Sequence, residues 1–95
     1  MAKLTKTIEI QGWTDILASA ELDSDPADSF MIQAISGDNY NAVFCESDTA
    51  PEQEDHNGFT LPLGMGIEYK KTSGYTLYGR SRTGMPITLA IQSLG

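Results

Sequence analysis

Apolar side chains in this chain recur at every second position, and no stretch sustains a helical period over the ~11 residues a helix needs. That alternation narrows the fold more than any other feature. Ile8 and Ile10 share one side of the first segment, with Thr5, Thr7 and Glu9 on the other. Ser29–Ser36 and Tyr40–Cys45 are near-continuous apolar runs on either side of Gly37-Asp38-Asn39, a pair that reads as a β-hairpin. Phe59, Leu61 and Leu63 alternate, and Pro62 restricts that piece to a sheet edge or an extended approach. Tyr75–Arg82 and Ile87–Leu94 flank Thr83-Gly84-Met85-Pro86 and read as a second hairpin. The segment from Trp13 to Leu22 is open between strand and helical turn. About seven or eight short segments at roughly 8–12-residue spacing predict an all-β chain, a small antiparallel β-sandwich or jelly-roll-like barrel. The core should hold Ile8, Ile10, Trp13, Phe30, Ile32, Val43 or Phe44, Ile67, Tyr75, Leu77, Ile87, Leu89 and Ile91.

Ninety-five residues suffice for one domain, 1–95, and not for two cores. Apolar residues are 40 % and charged residues 20 %, which fits a folded chain rather than a disordered one. Thirteen Asp+Glu against six Lys+Arg give a net charge of −7. Phosphate binding needs Lys and Arg to release counterions, so nucleic acid is not expected as a partner, nor an anionic membrane. No apolar run approaches the ~20 residues of a transmembrane helix. Met1–Gly12 lacks the apolar core of a signal peptide, so export by that route is not expected. A single cysteine precludes an intrachain disulfide or a CxxC site.

Charge is segregated along the chain. Every acid lies between Glu9 and Glu68, and every base lies outside residues 7–69. Two acidic segments, Glu21–Asp28 and Glu46–Asp55, also contain proline and small polar residues, which marks them as loops. The loop at 46–57 is expected to be exposed and mobile, since acids cannot be buried unpaired.

The residues with chemical potential are few. Asp23–Asp28 is rich in carboxylates but lacks the EF-hand order, with Ala27 and Asp28 where a ligand and a glycine belong. His56 beside Glu52, Glu54 and Asp55 could join a metal or act as a base, but no serine sits in a nucleophile motif that would complete a triad. Cys45 ends an apolar strand and reads as a small buried hydrophobe. Gly64-Met65-Gly66 lacks the lysine and helix of a phosphate loop. No cofactor, metal or catalytic residue is therefore expected. Tyr78, Arg80 and Arg82 fall on one side of a strand, where they can bind a glycan or carboxylate, or pair with acids across the sheet or with a neighbouring subunit. The acid excess favours pairing. On Phe30–Ile35, Phe30, Ile32 and Ala34 face a core, leaving Met31 and Ile35 on the opposite face beside Gln33. Tyr40, Ala42 and Phe44 pose the same problem if Val43 and Cys45 point inward. Two sheets supply one interior, so a second copy of the chain is the expected cover, in a dimer or trimer.

Three stretches together resemble small bacteriophage virion proteins of β-sandwich type, capsid decoration or tail-associated. They are Gly12-Trp-Thr-Asp-Ile16, Phe30-Met-Ile-Gln33 and Leu77-Tyr-Gly-Arg-Ser-Arg-Thr-Gly84. The resemblance spans about Gly12 to Ile91, and the acidic insert Glu46–Asn57 has no counterpart in it. It implies a non-enzymatic all-β oligomer, assembled in the bacterial cytoplasm and docked on a larger virion protein. It transfers no binding residue. The other reading is a carbohydrate- or receptor-binding β module, which an exposed aromatic platform would favour.

Overall fold

The computed structural model describes residues 5–23, 28–36, 42–54, 58–61 and 64–94. Alternation becomes strands: β1 (Thr5–Ile10), β2 (Thr14–Asp15), β3 (Ser29–Ser36), β4 (Ala42–Ser47), β5 (Phe59–Leu61), β6 (Gly66–Lys70), β7 (Thr76–Ser81) and β8 (Ile87–Ser93). One helical turn, α1 (Ile16–Ser19), follows β2. The strands form two four-stranded antiparallel sheets, ordered β1-β8-β3-β6 and β2-β7-β4-β5. The fold is the expected all-β sandwich.

Its pairing is nested. β1 pairs with β8, β2 with β7, β3 with β6 and β4 with β5. Contacts of β3 with β8 and of β4 with β7 join successive coils of this ribbon. A double-stranded ribbon wrapped around one interior is the jelly-roll arrangement. Neither expected hairpin forms, because β3 and β4 lie in different sheets, as do β7 and β8. A Gly/Asp/Asn turn reverses the chain equally well within a sheet or from one sheet to the other, so the turn residues do not choose the partner. Gly37–Asn39 itself lies outside the described residues. Among the described strands, only β4 and β5 are consecutive in sequence and hydrogen-bonded to each other. β5 is an edge strand, one of the two readings that Pro62 left open.

Phe30, Ile32, Phe44, Leu77, Ile87, Leu89 and Ile91 fill the space between the sheets. Gly79 keeps the layers close, since a Cβ there would stand 2.7 Å from Ile16 Cδ1 and 3.1 Å from Phe44 Cδ1. The ambiguous Trp13–Leu22 segment adds core residues that the alternation did not reveal, Ile16, Leu17, Ala20 and Leu22. Asp15 caps α1, its Oδ1 accepting the Ala18 N–H at 3.2 Å. At the other end, the Leu22 N–H donates to Leu17 O at 2.8 Å and the Glu21 N–H to Ala18 O at 3.0 Å. This Schellman closure puts Glu21 at φ 60°, a position that glycine usually takes. Tyr75 departs from expectation. It precedes β7 and is 52 % exposed rather than buried.

Candidate functional site

The strip formed by Tyr78, Arg80 and Arg82 does not assemble. β7 ends at Ser81, so Arg82 leaves the strand and is exposed, while Tyr78 is half-buried. Arg80 is only 7 % exposed. It stands opposite Val43 on the outer face of the β2-β7-β4-β5 sheet, with its guanidinium carbon 5.8 Å from the Trp13 ring centroid. Its Nε donates to Ser81 O at 3.0 Å and its Nη1 donates to Gln53 O. Backbone carbonyls and an indole hold this cation, in place of the cross-sheet carboxylate expected from the acid excess.

Gln53 belongs to the acidic segment, and it binds twice. Its carbonyl accepts from Arg80, and its Oε1 accepts the Trp13 N–H at 3.1 Å. Trp13 and Val43 are buried yet stand apart from the core between the sheets. The loop after β4 therefore lies across this sheet as a strap, with its acids outward: Asp48, Glu52 and Glu54 are exposed. Two expectations need correction. The loop starts at Asp48, because Glu46 and Ser47 belong to β4, and it is tied down at Gln53. The orientation of β4 is also the reverse of the one that created a surplus face. Ala42 and Phe44 point into the core, while Val43 points out opposite Arg80 and is buried there. Tyr40 lies outside the described residues. Cys45, opposite Tyr78 on the outer side, is half-buried rather than a core residue.

The other outer face has no such cover from the described residues. On the β1-β8-β3-β6 sheet, Thr5, Gln92, Met31 and Glu68 form one cross-strand row, and Thr7, Ala90, Gln33 and Gly66 form the next. Met31 is 39 % exposed and Ile35 is 48 % exposed. Ile35 is the extra residue of a bulge between Ala34 and Ser36, which turns it out of the ladder. Around Ala90, a shallow trough of about 180 Å³ runs between Thr5, Gln92, Met31 and Gln33. The middle of the face is uncharged, and its charges, Glu9, Glu68 and Lys70, sit on the edge strands β1 and β6.

The remaining sequence candidates add little. His56 and residues 24–27 of the Asp23–Asp28 segment lie outside the described residues. Among the described residues, no three His, Cys, Asp or Glu side chains gather as metal ligands. No helix among them is long and apolar enough to cross a membrane. At the end of the sandwich nearest α1, the Tyr69 hydroxyl donates to Glu46 Oε2 at 2.6 Å. Burial, then that carboxylate, pushes the Tyr69 pKa well above its usual 10.0. No known family model, curated protein or solved structure matches the chain.

Proposed function

We propose that this chain is a non-enzymatic structural protein of a bacteriophage particle, capsid decoration or tail-associated, which self-associates and docks on a larger virion protein through the outer face of its β1-β8-β3-β6 sheet. The observation that carries this reading is the asymmetry between the two outer faces. One sheet is covered by the chain's own strap, whereas the other presents Met31 and Ile35 beside threonine, glutamine and alanine, with its charges confined to the edge strands. Charge-poor centres with polar surroundings are the mark of contact surfaces. The nested strand order adds support by analogy, since jelly rolls serve as capsid domains, although fold alone does not carry function.

Geometry also sets the strength of the contact. With strands ~4.8 Å apart and ~3.3 Å per residue, four strands of about five paired positions cover roughly 300 Å² of plane. Stable dimers bury ~800 Å² per partner. The face therefore supports weak association of the free chain, and an array on a particle multiplies it through multivalency. Light scattering across the micromolar range should show mass rising toward a dimer or trimer, and Met31→Lys with Ile35→Glu should return the chain to monomer mass. Mass that stays monomeric at the highest concentration and low salt refutes self-association. Purified particles of the source virus should contain the chain in a fixed copy number, and particles lacking it refute the virion assignment.

A further inference from the structure

The open end of the sandwich nearest α1 holds a cleft of about 220 Å³, built from two separate stretches of chain, 15–23 and 69–77. Its floor is apolar: Leu17 and Leu77 are buried core residues, and the ring of Tyr69 closes one side. Its rim is polar, with Asp15 and Asp23 on the α1 side and the Thr72–Thr76 turn opposite. Tyr75 stands on that turn with half its surface exposed. The turn is closed by the Tyr75 N–H donating to Thr72 O at 3.1 Å, with Gly74 at φ +84°, so the backbone carrying the ring is held. Tyr75 has the same parity as inward-facing Leu77 but lies beyond the last core layer, which places it over the mouth rather than inside it.

We propose that this mouth is a binding site for a single neutral sugar ring, presented by a glycan. Each part of the lining selects for that chemistry. The volume lies below the ~300–1,000 Å³ of drug-sized ligand sites, so it suits one ring. An exposed tyrosine offers a flat face to the C–H side of a sugar, and its ring is rigid, so little entropy is lost on stacking. The carboxylates of Asp15 and Asp23 are acceptors for hydroxyl donors, and charge-assisted hydrogen bonds are the stronger kind. Those same carboxylates, with Glu46 behind Tyr69, outnumber the one cation of the lining among the described residues, Lys71, whose Nζ lies 5.3 Å from the Phe30 ring centroid, and so disfavour an anionic ligand. Asp15 is already oriented, because one of its oxygens caps α1. The site is independent of the self-association face, since none of its lining residues lies on the outer side of the β1-β8-β3-β6 sheet.

The test is a titration of the ¹⁵N-labelled chain with glucose, galactose, mannose, N-acetylglucosamine and their disaccharides to tens of millimolar. A single ring held by one stacking face and a few hydrogen bonds should bind in the millimolar range. At least one sugar should move the amides of Thr72–Leu77 and Leu17 while leaving those of Met31 and Gln92 in place. Tyr75→Ala should weaken that sugar about five- to tenfold, whereas Tyr75→Phe, which keeps the ring, retains binding. Asp15→Asn preserves the helix cap and should weaken binding two- to fivefold. Unchanged cleft amides with every sugar overturn the proposal, as does binding that Tyr75→Ala leaves unweakened. Charged glucuronic acid binding more tightly than glucose would also overturn it. Loss of light-scattering mass in Met31→Lys with cleft shifts intact separates this site from the association face.

Discussion

Arg80 is the residue whose removal most directly tests how the strap is held. Arg80→Ala deletes two hydrogen bonds from a cation to backbone carbonyls, the guanidinium stacked near Trp13, and a buried aliphatic stem. The two buried methylenes lost, Cγ and Cδ, amount to about 1.6 kcal/mol at ~0.8 kcal/mol each. The two hydrogen bonds contribute about 2 kcal/mol net, and the cation–π contact about 0.5–1 kcal/mol. Against these stands the cost of desolvating a guanidinium in the wild type, and the released Gln53 carbonyl, on an exposed residue, regains water. The balance is a loss of about 3 kcal/mol, which in a domain of this size lowers Tm by roughly 12–24 °C. Arg80→Lys retains the stem and the charge but not the planar fork, so it should lose about 1–2 kcal/mol. Thermal and urea denaturation measure both values. Trp13 is the only tryptophan, so its emission should shift to the red as the strap loosens. Its amide, bound to Gln53 Oε1, should exchange faster. A change in stability within ~0.5 kcal/mol, as for an ordinary surface substitution, would refute the strap as a structural element, and an unshifted tryptophan spectrum would do the same.

Glu21→Gly should stabilise the chain by about 0.5–1 kcal/mol in urea unfolding, because glycine adopts φ 60° without the steric cost a side chain bears there. Gly79→Ala should destabilise it by about 1–3 kcal/mol, since the new methyl meets Ile16 and Phe44 in a filled core; calorimetry reads this as a lower Tm. Tyr69 links stability to alkaline pH. Its pKa is raised in the folded chain above the 10.0 of the unfolded one, so its contribution is fully present below pH 10 and declines as pH rises beyond it. Tyr69→Phe should flatten that alkaline decline in a pH series of melting curves, while costing about 1 kcal/mol at neutral pH through the lost bond to Glu46.

Met31 and Ile35 show how a candidate surface can be legible in a sequence. Their outward direction follows from parity once Phe30, Ile32 and Ala34 are assigned to the core, and parity is a property of the strand itself. Arg80 shows the opposite case. Parity placed it correctly on an outer face, but only the loop from another part of the chain buries it, and that approach leaves no periodic signal. The mouth beside Tyr75 was invisible for the same reason, being assembled from residues 15–23 and 69–77 across two sheets.

What the sequence determined by itself was therefore local: extended segments with glycine, proline and acidic punctuation, and the core face of β1, β3 and β8, though not that of β4. What the tertiary structure alone decided was which strands meet. A β-strand offers the same backbone donors and acceptors to any partner, so β3 could satisfy them with β4 as well as with β8 and β6. The choice went to the arrangement that buries Phe30, Phe44, Leu77 and Leu89 around one interior, a gain that belongs to all eight strands together and to no short stretch of the chain.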